Sequence, residues 1–160
     1  MLVPEAEQAI GDWRGRHTQD GSRGMPAHVT LLYPFAPKPD VDTLRALAAD
    51  AEAFRYALRA VREWPDGVVW LEPDPDEPFK RLTGQLVDRF PDHQPYSGRF
   101  TVDQVIPHCT VVHTDDAGAR ADAAASVAGA LAIDCDANEI WLMHEVDGRW
   151  QRHTPFPLGR

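Results

Sequence analysis

The sequence predicts a mixed fold of helices and strands in two halves that echo each other. Three observations predict it. Apolar periodicity switches repeatedly between helical and strand spacing along the chain. The order of elements repeats once, each half running through a helix, a long loop, a strand, a second helix and further strands. A short motif also recurs, His28-Val29-Thr30-Leu31 and His108-Cys109-Thr110-Val111, 80 positions apart (28 to 108) in a chain of 160 residues. Identity between the halves is negligible outside the motif, so the duplication is read from element order alone. A pseudo-twofold arrangement would bring the two motif strands together across a groove.

The elements follow in order. Leu2 and Val3 form a short strand, and Pro4 to Arg14 a helix, with Ala6, Ile10 and Trp13 at helical spacing and Pro4 tolerated in the first turn. Residues 15–26 read as a loop, broken by Gly15, Asp20-Gly21, Gly24 and Pro26 and carrying Arg16 and Arg23 beside Arg14. Ala27 to Tyr33 is the first motif strand, and Pro34 to Pro39 a stiff connector. Asp40 caps a helix whose stripe is Val41, Leu44, Leu47, Ala48, Ala51 and Phe54. Two strands follow, around 55–63 and 67–72, with Pro65-Asp66-Gly67 as their turn. Phe79, Leu82, Leu86 and Phe90 mark the next helix, and 91–104 the second long loop. Val105 to Val112 is the second motif strand. A helix over 117–131 and strands around 132–135, 139–145 and 149–156 complete the chain, Asp147-Gly148 signalling a hairpin.

Composition bounds the function. Apolar content of 43% and charged content of 26% are those of a soluble globular protein, and the length suits one domain over residues 1–160. No run approaches the roughly 20 apolar residues a bilayer requires, and the first residues lack the pattern of a secretory signal, so the expectation is a cytoplasmic monomer without a membrane partner. Cys109 and Cys135 are expected to be structural free thiols. A net charge of −9 argues against an extended nucleic-acid surface, which needs a basic stripe. A small anionic ligand, or the last nucleotides of an RNA end, stays compatible with it.

The chemistry lies in the motif. Side chains two apart on a strand share a face, so His28 goes with Thr30, and His108 with Thr110, while Val29, Leu31, Cys109 and Val111 face a core. A single His-x-Thr carries no weight. Two copies in strand-like runs, each preceded by proline (Pro26, Pro107) and followed by apolar residues, do. Imidazole titrates nearest neutrality, so a pair can hold one base and one acid at once. Flanking a phosphorus, one would take a proton from the attacking oxygen and the other would give one to the leaving oxygen. The threonine hydroxyls would donate to the non-bridging oxygens. No metal is needed for this. By parity His108 and His113 face opposite ways, and Cys109 and His113 stand about 13 Å apart at ~3.3 Å per residue, too wide for one zinc ion. No metal motif, no G-x-S-x-G and no glycine-rich phosphate loop occurs, and no cofactor is expected. His17, His93, His144 and His153 read as surface or supporting residues.

These residues resemble the 2H phosphoesterase superfamily, which includes the 2′-5′ RNA ligase (LigT-like) and cyclic phosphodiesterase families. Beyond the motifs, the resemblance rests on Gly24 to Phe35, Pro78-Phe79, Leu82-Thr83, Phe90-Pro91, Pro95 to Gly98, Ile106 to Val111, Trp150 and Phe156 to Gly159. It implies a bilobal α+β fold, with two mostly antiparallel sheets in pseudo-twofold symmetry around a central cleft and helices on the outside. It implies metal-independent chemistry on 2′,3′-cyclic phosphate or 2′-5′ phosphodiester bonds of a nucleotide or RNA end. His28 and His108 would be the general acid/base pair, with roles set by substrate orientation, and Thr30 and Thr110 the phosphate-binding hydroxyls. LigT-like ligases often carry a basic residue shortly after the second threonine. Here Val111, Val112 and His113 follow, which favours small nucleotides and leaves Arg23, Lys80 or Arg99 to stand in. Tyr33 is expected in the core, and Tyr96 and Trp141 are the candidates for stacking on a base. A binding protein that holds a nucleotide or RNA terminus in the same cleft without turnover is the alternative.

Overall fold

The computed structural model describes residues 1–159; Arg160, the last residue of the expected domain, lies outside them. Among the described residues five α-helices, α1 (Glu7–His17), α2 (Gln19–Ser22), α3 (Val41–Asp50), α4 (Glu77–Arg89) and α5 (Ala117–Ala128), accompany six strands. The strands are β1 (Phe54–Glu63), β2 (Val68–Asp74), β3 (Cys109–His113), β4 (Ile133–Ala137), β5 (Glu139–Val146) and β6 (Arg149–Pro157). β3-β2-β1-β4 form an antiparallel sheet, and β5-β6 a second, smaller one. This is the expected α+β architecture with two antiparallel sheets.

Local chemistry fixes the helices. Asp40 caps α3 by accepting from the Asp42 and Thr43 amides, and Asp116 caps α5 through Gly118 and Ala119, each satisfying donors that a first turn leaves open. α4 buries Phe79, Leu82, Thr83 and Leu86, one stripe of a 3.6-residue period. The Phe79 ring meets Phe54 and Tyr56 edge-on, with centroids 5.0 and 4.9 Å away. α1 packs on β3, α5 on β1, β2 and β3, and α3 on β6 and α4. The two sheets are tied where the end of β6 returns to the α3–β1 junction. Gly159 donates to the Ala51 carbonyl there, and a Cβ at Gly159 would stand 2.4 Å from the Ala49 carbonyl oxygen. Only glycine fits that approach.

The motif segments depart from expectation. Residues 27–33 do not form a regular strand. The segment pairs with residues 1–3 through a Leu2–His28 bridge, Val3 N donating to Ala27 and Val29 N to Met1, and the chain bends over 31–34. A three-residue partner and the flanking prolines leave no room for a longer ladder. The alternation nevertheless holds: Ala27, Val29 and Leu31 are buried while His28 and Thr30 stay half-buried. The second strand begins at Cys109 rather than Val105, with His108 immediately before it.

β3 also carries a bulge. Thr110 pairs with Trp70 and Val112 with Val69, so Val111 is an extra residue. Val111 and Val112 are therefore both fully buried, and beyond the bulge the parity flips. His113 joins the side of His108 instead of opposing it, and both line the same cleft. Other elements shift by smaller amounts. α1 runs on to His17, and α2 occupies part of the expected 15–26 loop, with Thr18 as its cap. Trp13 is only partly buried, and Arg14 takes the buried position beside Ile10. Phe54 opens β1 instead of closing α3.

Candidate active site

Both motifs open on one cleft of about 1230 Å³. His28, Thr30, His108 and Thr110 line it, as do Arg23, Tyr96 and Trp141. Tyr33, expected in the core, is 52% exposed and lines it too. The bend at 31–34 turns its ring outward against Trp150, centroids 6.5 Å apart. Every exposed large apolar side chain among the described residues (Tyr33, Phe100, Ile106 and Val146) belongs to this cleft. Such a concentration marks a binding surface.

The two imidazoles are held alike. His28 Nδ1 donates to the Pro26 carbonyl at 2.8 Å, and His108 Nδ1 to the Ile106 carbonyl at 2.7 Å, each two residues back. With Nδ1 committed to a carbonyl, the neutral tautomer leaves Nε2 as the free lone pair on both rings. The two motifs therefore hold their imidazoles in the same way.

Their surroundings differ. His108 packs edge-on to Trp64, centroids 4.7 Å apart, and lies 6.1 Å from Trp70. Burial among these indoles lowers its pKa below the usual value, with a smaller push from the Arg14 charge. His28 has a cation for a neighbour. Nη2 of Arg14 stands 3.4 Å from its Nδ1. Burial first, then this like charge, lowers the His28 pKa to about 4. Asp20 Oδ2 lies 3.8 Å from His28 Nε2 and 2.9 Å from Arg14 Nη2. Burial alone would raise the Asp20 carboxyl, but the Arg14 charge and the Thr18 hydroxyl hold it below its ordinary range.

Arg14 is the residue that sequence reasoning missed. Its side chain is 1% exposed, and Nη1 donates to the Thr110 carbonyl at 2.7 Å. The spacing held a signal. Ala6, Ile10 and Arg14 fall four apart on one face of the first helical segment, and an arginine that completes an apolar stripe must find its partners inside.

The cations differ in availability. Arg23 is paired with Glu145 at 2.8 Å and its guanidinium lies over Trp150. Lys80 pairs with Asp76 on α4, away from the cleft lining. Arg99 lines the cleft over Phe100 and forms no ion pair among the described residues. Trp141 donates to Glu139 and is covered by Arg152, while Tyr96 sits edge-on to Phe100. Among the described residues no three His, Cys, Asp or Glu side chains converge as metal ligands do. No helix among them is long and apolar enough to cross a membrane.

Helices outside two antiparallel sheets, with a recurring His-x-Thr on a shared cleft, define a LigT-like fold. The chain belongs to the 2′-5′ RNA ligase superfamily, whose family model matches residues 2–149. Three solved structures share the fold over 100% of this chain. Escherichia coli LigT complexed with NADP+ is 19% identical, with a TM-score of 0.55 and 94% of its own chain covered. The same protein complexed with 3′-AMP is 19% identical, with a TM-score of 0.56 and 94% covered. A structure described as a phosphoesterase is 18% identical, with a TM-score of 0.55 and 95% covered. No functionally curated relative matches the sequence.

Proposed function

We propose that the protein is a metal-independent phosphodiesterase acting on 2′,3′-cyclic phosphate or 2′-5′ phosphodiester bonds of a small nucleotide or an RNA end. One observation carries the reading: two imidazoles with identically anchored Nδ1 atoms and uncommitted Nε2 atoms line the same cleft, each with a threonine two residues on. One neutral ring takes the proton of the attacking hydroxyl or water, and the other, protonated, returns one to the leaving oxygen. Thr30 and Thr110 donate to the non-bridging oxygens as charge builds on them. Arg99 supplies the cation that the second motif lacks after its threonine. The aromatic rim of Tyr33, Tyr96 and Trp150 takes the base, since any base offers a π face. The nucleotide complexes of E. coli LigT, with 3′-AMP and with NADP+, support a ligand of this size.

The test is turnover of a panel of 2′,3′-cyclic mononucleotides and 2′-5′ dinucleotides with EDTA present. Cleavage that EDTA leaves unchanged is expected. Strict dependence on added metal would overturn the mechanism, and tight nucleotide binding with no turnover of any member would make the cleft a binding site only.

A further inference from the structure

Arg14 is an expensive residue to bury without a task. A guanidinium removed from water costs several kcal/mol unless its donors are met. Its two terminal nitrogens are met by groups that belong to both halves of the cleft. Nη1 reaches the Thr110 carbonyl on β3, and Nη2 reaches Asp20 on α2 and lies against the His28 ring. The Met25 carbonyl stands 3.5 Å from Nη2, while Nε has no partner among the described residues. A planar fork with fixed donor directions is what spans two such segments, and a lysine cannot copy it.

We propose that Arg14 is a positioning residue of this site: its buried guanidinium sets the spacing between the His28 segment and the Thr110 strand and presents a fixed positive charge to the His28 ring. The proposal rests on the functional reading above for its kinetic consequence but not for its electrostatic one. With the charge 3.4 Å from Nδ1, His28 enters the reaction as the neutral imidazole, while His108, which touches indoles rather than a cation, is freer to carry the proton. The groups that face His28 are few. Arg14 comes from α1, Asp20 from α2, and the Met1 amino group from the segment paired with it, donating to Val29 at 2.7 Å. Cys109 lies against the His28 backbone, and the Glu7 carboxylate accepts from the neighbouring Ala27 amide. Burial pushes the Met1 amine down to about 5, which leaves the Arg14 guanidinium as the cation against the ring, while Asp20 pulls the opposite way.

The experiment is an NMR titration of the histidine ring protons in the wild type, Arg14→Met and Arg14→Lys, paired with kcat and KM against pH on 2′,3′-cyclic AMP. In Arg14→Met the His28 titration is expected to rise by about one pH unit or more, His108 moving less, and the acid limb of the kcat/KM profile to rise with it. In Arg14→Lys the His28 titration stays close to the wild type, yet kcat falls at least about tenfold with little change in KM, because the compact ammonium cannot bridge Thr110 and Asp20. A His28 titration unmoved in Arg14→Met, or full kcat in Arg14→Lys, overturns the proposal. If Arg14→Met does not fold, the Arg14→Lys pair of readings decides alone. The titration needs no turnover. A moved titration without cleavage of any substrate would therefore sink the functional reading while sparing this one, and cleavage with an unmoved titration the reverse.

Discussion

His28 holds an imidazole in a place that resists its protonation. The folded chain binds that proton only near pH 4, while the unfolded chain binds it near 6.5. The sign follows directly: below pH 6.5 the unfolded state takes up a proton that the folded state refuses, so stability is full above that value and falls as pH drops toward about 4. At 1.36 kcal/mol per unit the loss is of the order of 3 kcal/mol. Urea midpoints measured through this range should fall more steeply for the wild type than for His28→Asn, which has no proton to gain. Parallel curves would show that the ring is not held as described. The identity of His28, Thr30, His108 and Thr110 as cleft residues was legible from the motif alone, because two-residue parity survives even where a strand does not. Arg14 was not legible, since its meaning depends on where Thr110 and Asp20 fall in space. Tyr33 misled for a related reason. Parity assigns it to the core, but the chain bends before it.

At the scale of elements, α2 shows how a short turn sets the site. Thr18 caps it, Asp20 faces His28 and Arg14 from it, and Gly21 allows it to close. A Cβ on Gly21 would stand 2.5 Å from both the Arg14 carbonyl oxygen and Thr18 Oγ1, so the turn would have to move. Gly21→Ala should therefore cost about 1–3 kcal/mol in urea denaturation and lower kcat/KM along with it. Gly15→Ala is the control. Nothing lies within 4 Å of its would-be Cβ, and inside α1 the change should stabilise by up to about 1 kcal/mol. Equal effects at the two glycines would contradict this role of α2. Sequence pattern located most regular elements within a few residues, because the cap at Asp40 and the apolar stripes are local signals. α2 was hidden among loop-forming residues. The bulge at Val111, which turns His113 into the cleft, has no local signature at all, since it arises from the register of β3 against β2.

The whole molecule is two unequal antiparallel sheets, of four strands and two, meeting over one cleft. The two halves are alike at the histidines, where Pro26 and Ile106 play the same part for His28 and His108. The acidic balance, and a cleft whose one arginine without an ion pair among the described residues is Arg99, fit a small anionic ligand better than a long polyanion. If the two rings share one proton-transfer cycle, they must act as a unit, and units do not lose activity additively. The direct measurement is kcat/KM for 2′,3′-cyclic AMP in the wild type, His28→Ala, His108→Ala and the double variant, with each protein's fold checked by circular dichroism. Each single variant should lose roughly 10²–10⁴-fold, and the double variant should lose little more than either. Near-full activity in either single variant, or losses that multiply in the double, would contradict a paired-histidine site.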